Sequence, residues 1–429
     1  MKTVIHNATI LNEGRIFVGT VVMRDETIEE IIEGAWVPSM ISSSGETVDE
    51  VIEAEGMYLL PGVIDEHVHF REPGMTHKAT IASESRKAVA GGVTSFMEMP
   101  NCKPPTTTID LLRQKYDIAA ASSPANYSFY LGATTDNLSA IEALDPATNC
   151  GIKVFMGSST GGMLLDDDEV LTRIFRSTSL PVALHCEDQQ LIAANTLLYR
   201  ERYGEDPDVK FHPLIRNEEA CYRSTARAVE LAEKTGADIH ILHISTAREL
   251  SLFASGPVED KRITAEVCTP HLLYTDTDYA RLGTAIKCNP AIKTIADREA
   301  LRRAVGEQRI DTIATDHAPH TPADKRGGAL KAASGIASLP HSLTDMLTLA
   351  DEGVFNMLDV VRAMCHNPAL RYRVNRRGFI RTGYQGDLVL LSKENGWSIK
   401  RTWVNGSTAY ANGKINDTVR GQRLHFNRL

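Results

Sequence analysis

The chain has 429 residues, 42% hydrophobic and 24% charged, enough for one large domain and a smaller one. A net charge of −9 forces no basic face and argues against nucleic-acid binding, and no apolar run is long enough to span a membrane. Seven cysteines without CxxC spacing read as reduced thiols of a cytoplasmic protein, and MKTVIHNATI lacks the shape of a secretion signal.

Residues 1–56 read as short β runs, KTVIHNATIL, RIFVGTVVMR and TIEEIIEG, followed by a serine-rich loop at 42–44. From YLLPGVIDEHVHF onward, strand and helix alternate. HKATIASESRKAVAGG reads as a helix closed by Gly91-Gly92, with a β-branched strand after it. LDDDEV at 165–170 reads as an acidic first helical turn favoured by the helix dipole. NEEACYRSTARAVELAEKTG is a helix with a terminal glycine, and ADIHILHIS is the next strand. Thr246 and Glu249 then have capping-box spacing for a further helix. DREALRRAVGEQ followed by RIDTIATD repeats the scheme. Such alternation predicts a parallel sheet closed as a (β/α)8 TIM-like barrel over 57–372. The tail, 373–429, returns to short strands and glycine turns. It is expected to join the N-terminal stretch in one small β-sandwich domain.

Residues two apart in a strand face the same way, so Asp65, His67 and His69 are expected on one side of VIDEHVH, inward and near its carboxyl end. Lys153 in GIKVFMG, His185 in PVALH and Asp316 in DTIATD hold comparable places. His240 and His243 are three apart and should face opposite ways. His243, nearer the carboxyl end, is taken as the inward one. His240 is assigned to structure, with His6, His212, His341, His366 and His425. The active face of such a barrel is built from the carboxyl ends of different strands. Imidazoles with a carboxylate suit a divalent ion of the zinc type. Three histidines and a carboxylate suffice for one ion, whereas four histidines, Asp316 and a lysine look like a two-ion site. An ammonium cannot ligate a cation, but a carbamate formed from the amine and carbon dioxide can; the residues alone leave that point open. Cys186 and Cys288 border this set and read as small buried hydrophobes.

DEHVHFREPG, GGVTSFMEMPN, IKVFMG, ALHCED, ILHIS, KCNPAIK and ATDHAPH occur in that order over residues 60–325, with RTGYQGDLVLL and RTWVNGSTAY in the tail. In these motifs the chain resembles the dihydroorotases of the cyclic-amidohydrolase superfamily. HxH alone is weak, but HVHFREPG with MEMPN and TDHAPH is specific. The resemblance implies reversible zinc-dependent cyclisation of N-carbamoyl-L-aspartate to L-dihydroorotate in de novo pyrimidine biosynthesis. It implies two divalent ions, Zn2+ first among them. His67 and His69 would hold one with Asp316, and His185 and His243 the other. Lys153, as N6-carboxylysine, would bridge the two. Asp316 is implied to carry the catalytic proton. Arg71 and Asn101 are implied to hold the substrate carboxylate, with His320 as a third contact and Asn289 at the ring. Glu72-Pro73-Gly74 would shape the turn that fixes Arg71. Arg216 and Glu219 in FHPLIRNEEA are assigned to structure. Family habit points to a homodimer.

Two rival readings remain. A hydantoinase or allantoinase would share the metal residues, but those enzymes usually lack the arginine after HxH, so Arg71 with Asn101 favours dihydroorotate. A non-catalytic dihydroorotase-like scaffold subunit would have lost ligands, and all six candidates are present. Cys102, Lys293, EVCTPHLL and GIASLPHSL depart from the usual pattern around the substrate loops, none of them at a candidate ligand.

Overall fold

The computed structural model describes residues 1–35, 47–157 and 163–428; the serine-rich stretch 42–44 lies outside them. The N-terminal part contributes β1 (Lys2–Asn12), β2 (Arg15–Arg24), β3 (Thr27–Glu33), β4 (Glu50–Glu53) and β5 (Tyr58–Pro61). β1 pairs antiparallel with β2 and β2 with β3, whereas β4 and β5 run parallel to β1.

Parallel strands separated by helices follow. They are β6 (Val63–Val68), β7 (Val93–Glu98), β8 (Asn126–Phe129), β9 (Leu131–Gly132), β10 (Ile152–Met156), β11 (Val182–Cys186), β12 (Ile239–Ile241), β13 (Ile263–Cys268) and β14 (Thr312–Ala314). They form two ladders in chain order, β6 to β8 and β9 to β14. β8 and β9 are one run interrupted at Tyr130, whose backbone N–H donates to Glu98 O at 3.0 Å. A parallel bridge between Val68 and His317 brings the two outer edges together. This is the parallel α/β order that the alternation predicts. Outward-facing Phe96, Ile152, Val182 and Ile239 pack with the helices, while Ile64, Met97, Tyr130, Ala183 and Tyr372 fill the bore.

Most helix boundaries follow local chemistry. Thr80 caps the helix Ile81–Ala90 by accepting from Ser83 N, and Gly91 ends it. Asp167 caps Asp168–Ser177, so the acidic run is a helix start as read. Glu218–Thr235 runs from Asn217 to the left-handed Gly236. The helix expected after Thr246 does not propagate. Glu249 is buried and accepts from Thr246 Oγ1 and from Thr225 Oγ1, both at 2.8 Å. That lateral bond leaves only a 3-10 turn, Glu249–Leu252.

The tail adds β15 (Leu388–Ser392), β16 (Ser398–Val404), β17 (Ser407–Ala411) and β18 (Lys414–Ile415). β15 pairs with β5, so both chain ends share one nine-stranded sheet, β18-β17-β16-β15-β5-β1-β2-β3, with β4 beside β1. Met23 and Ile28 share a buried cluster with Leu388, Leu390 and Trp403, although their strands stand far apart in that order. The sheet therefore curls over its own apolar face. Among the described residues no helix is long and apolar enough to cross a membrane.

Candidate active site

A cavity of about 530 Å3 opens at the carboxyl ends of the parallel strands. His67, His69, Arg71, Asn101, Lys153, His185, His243, Asn289, Asp316 and His320 all line it, so the ten residues picked from the sequence are brought together.

How they arrive there differs from strict strand alternation. The register of β6 against β7 slips between Asp65 and Val68. Asp65 sits opposite Phe96, accepts from Thr315 Oγ1 at 2.6 Å and does not line the cavity. The expectation that it faces inward with His67 and His69 fails because a bulge re-aims the strand. His243 and Asp316 each lie two residues beyond a strand end, with φ of 40° and 47°. Arg71 has φ of 72°. Left-handed backbone is unfavourable for such side chains, and where three of them meet at one cavity the cost fits a functional site. His240 also faces the bore, in register with Ala183 and Thr264. The either-or choice between His240 and His243 was therefore wrong. β12 ends at Ile241, and the turn at His243 resets the alternation.

The imidazoles are held from behind. His67 Nδ1 lies 2.8 Å from Glu266 Oε1, and His69 Nδ1 lies 2.6 Å from Asn101 Oδ1. Each Nε2 is thereby left for the cavity, 3.3 Å (His67) and 2.9 Å (His69) from the same oxygen, Asp316 Oδ1. His185 Nε2 lies 2.8 Å from Glu187, which Arg216 grips through Nε at 3.0 Å. His185 Nδ1 then meets His243 Nε2 at 2.9 Å. Glu266 Oε1 also accepts from the His243 backbone N–H at 2.9 Å, so one carboxylate steadies both halves of the site. His67, His69 and Asp316 place their donor atoms within 4.8 Å of one another and can hold a metal ion.

Burial decides most of the protonation states. It lowers His69 to about 4 and pushes His185 and His243 down as well, so these rings are neutral and basic at the nitrogens that ions use. Burial alone would raise Asp316, but His67 and His69 hold its carboxyl well below the usual range. Lys153 is fully buried, its Nζ 4.6 Å from the Phe155 ring centre, and burial lowers the amine to about 7 against the opposing pull of Glu266 and Asp316. Its charge acts on His67, His185, His243 and Asp316 alike.

At the other wall, Arg71 Nε donates to Pro319 O at 3.1 Å and its Nη2 lies 3.0 Å from His320 Nε2. Lys78 Nζ donates to His320 Nδ1 at 3.1 Å, and His320 Nε2 donates to Ser334 O at 2.9 Å. Among the described residues lining the cavity, Arg71, Lys78, Lys153, Arg216, Lys287 and Lys331 are basic and Asp316 is the sole carboxylate. Sequence reasoning missed Glu266, Glu187 and Lys78. Glu187 carried a signal, two residues after His185; Lys78 carried none. Arg216, assigned to structure, lines the cavity while bracing His185 through Glu187. Glu219 lies outside the cavity, paired with Arg223. Cys186 and Cys288 are buried, as read.

The profile of the amidohydrolase family matches residues 58–409. The chain is 34% identical over 367 residues to a dihydroorotase of Halobacterium salinarum, covering 83% of this chain and 84% of that one. It is 30% identical to an allantoinase of Bacillus velezensis, covering 81% and 78%. Among solved structures it is similar to an L-hydantoinase (dihydropyrimidinase) from Arthrobacter aurescens, with a TM-score of 0.87 at 23% identity over 96% and 97% of the two chains, a likeness of fold.

Proposed function

The chain belongs to the amidohydrolase family, and we propose that within it the protein is a dihydroorotase that interconverts N-carbamoyl-L-aspartate and L-dihydroorotate. It is accordingly a metal-dependent cyclic amidohydrolase. The observation that carries the finer reading is the charge of the cavity wall, where Arg71, Lys78, Lys287 and Lys331 face a single carboxylate, Asp316, among the described lining residues, with Arg216 taken up by Glu187 and Lys153 by the metal site. Hydantoin and allantoin rings bear no carboxylate to match it, whereas N-carbamoyl-L-aspartate bears two.

The donor set fits a pair of divalent zinc-type ions. His67 and His69 share Asp316, and two neutral imidazole nitrogens of His185 and His243 converge 2.9 Å apart. His67, His69 and Asp316 would hold one ion and His185 and His243 the other. Lys153 would bridge them once its uncharged amine adds to carbon dioxide, forming an N–C bond and releasing one proton. When bound, the ions supply Lewis acidity and an acidified water. Arg71 and the Asn101 side-chain N–H, left free because Asn101 Oδ1 faces His69, orient the substrate carboxylate. His320 adds a third contact to that carboxylate, and Asn289, whose Oδ1 is buried without a hydrogen-bond partner, faces the ring. Asp316 accepts a proton in one half of the reaction and returns it to the ring nitrogen in the other.

The same reading takes the fold as a (β/α)8 barrel over 57–372, with a β-sandwich built from 1–56 and 373–429. The Val68–His317 bridge and the shared Met23–Trp403 cluster support it. Seven free buried cysteines suit a reducing cytoplasm. A homodimer is proposed from family habit alone. The test is turnover of dihydroorotate, hydantoin and allantoin by zinc-loaded protein. Dihydroorotate should lead by at least about 100-fold in kcat/KM, the scale of a matched charged contact. A better rate on either neutral ring overturns the assignment.

A further inference from the structure

Below the cavity floor three hydrogen-bond acceptors converge. Glu66 and Glu266 are fully buried, and neither oxygen of Glu66 nor Oε2 of Glu266 has a hydrogen-bond partner. The other oxygen of Glu266 is engaged by His67, His243 N and Cys268. His240, also fully buried, sends Nε2 toward them, 3.9 Å from Glu66 Oε1 and 3.8 Å from Glu266 Oε2.

The His240 tautomer is fixed from its far side. Thr264 Oγ1 donates its hydrogen to Ile239 O at 3.3 Å and accepts from Arg371 Nε at 2.7 Å. Its remaining lone pair accepts from His240 Nδ1 at 2.8 Å. Nδ1 therefore carries the ring hydrogen, and Nε2 presents a lone pair to two carboxylates. Thr312 Oγ1, 3.4 Å from Nε2 and also in contact with Glu66, has a single hydrogen to share between them.

Acceptors facing acceptors in a dry interior need either a proton on one of them or a cation between them, and burial beside Glu266 pushes the Glu66 carboxyl up. A proton bridges nitrogen and oxygen only across about 2.7–3.2 Å. A metal ion with bonds of about 2.2 Å holds its ligand atoms about 3.1–3.8 Å apart, close to the spacing observed. We propose that Glu66, His240 and Glu266 bind a third divalent cation of the zinc type, enclosed in the barrel bore and separate from the ions of the cavity. It ties β6, β12 and β13 together and neutralises the carboxylate that orients His67 and His243. This inference does not rest on the dihydroorotase reading.

The experiment counts zinc per chain in protein produced in zinc-supplemented medium, for the wild type and Glu66→Gln. The wild type is expected to retain one ion more than the variant, three against two when the cavity pair is loaded. Dialysis against a chelator should strip the cavity ions first, leaving one in the wild type and none in the variant. Equal counts in the two proteins overturn the proposal, whatever that count is. Should Glu66→Gln fail to fold, anomalous scattering from wild-type crystals at the zinc edge decides. A peak between Glu66, His240 and Glu266 supports the site, and no peak there refutes it. Loss of dihydroorotate turnover leaves both readouts intact, so the two proposals fail separately.

Discussion

His69 Nε2 lies 2.9 Å from Asp316 Oδ1, and the same oxygen is 3.3 Å from His67 Nε2. One partly buried carboxylate oxygen thus serves two imidazoles, while the backbone at Asp316 is held in the left-handed region at φ 47°. Such a carboxylate is suited to pass a proton and poorly suited to a packing role. Asp316→Ala should lower kcat on dihydroorotate by at least about 1,000-fold, the range for losing a general acid–base together with a ligand. Activity within tenfold of wild type would remove Asp316 from the chemistry.

Arg71 is buried, anchored through Nε to Pro319 O and placed against His320. Its planar fork makes a paired contact with a carboxylate that an ammonium cannot reproduce. Arg71→Lys is expected to raise KM for dihydroorotate by about 30- to 100-fold, equivalent to roughly 2–3 kcal/mol for a charge-assisted pair, with a smaller change in kcat. Steady-state kinetics on both substrates of the reversible reaction measure it. An unchanged KM would mean that the carboxylate binds elsewhere.

Alternation was a sound guide where strands are straight and in register. β10 and β11 pair Lys153 with Ala183 and Phe155 with His185, and the lysine and histidine reach the cavity as their spacing implies. It failed at β6, where a slipped register sends Asp65 to Thr315, and at β12, where an early strand end turns both His240 and His243 inward. Bulges and left-handed turns leave no periodic trace. Glu266 was not legible either. It reads as one more charged residue in ITAEVC, and its link to His67 spans 199 residues of chain. Thr246 and Glu249 show the opposite failure. Their spacing is right for a helix cap, but Thr225, on a neighbouring helix, takes up the carboxylate as well.

Gly74 closes the turn that follows Arg71, at φ 82°, and a Cβ there would fall 1.8 Å from Lys103 O. That carbonyl belongs to the backbone and cannot swing aside, so Gly74→Ala must displace one strand of the turn. Gly14, at φ 74° with nothing within 4 Å of a built Cβ, isolates the cost of the positive φ alone, about 1 kcal/mol. Gly74→Ala is expected to lower Tm more than Gly14→Ala and to raise KM for dihydroorotate, which Gly14→Ala leaves alone. Equal effects of the two substitutions on KM would show that the turn does not position Arg71.

Glu84 supports the site from outside the barrel. Its Oε2 accepts from His317 Nε2 at 2.7 Å, and Ser83 Oγ and Lys87 Nζ donate to Oε1 at 2.7 and 2.9 Å. His317 Nδ1 accepts from Leu339 N, so the ring hydrogen lies on Nε2 and points at Glu84. Burial would raise the Glu84 carboxyl, but these donors, His317 foremost, lower it from 4.5 to about 2. A folded value below the unfolded one stabilises the fold fully above pH 4.5, and the contribution is lost as pH falls through about 2. Glu84→Gln keeps the shape and removes the charge. It should cost about 2 kcal/mol at neutral pH, and the gap to wild type should close progressively between pH 4.5 and 2. Denaturant unfolding of both proteins across that window measures the gap. A difference that stays constant with pH would mean that the charge on Glu84, as distinct from side-chain packing, contributes nothing. His317 follows Asp316 directly, so the same variant should also shift the acidic limb of the activity profile if this buried pair fixes the segment carrying the proton-transfer residue.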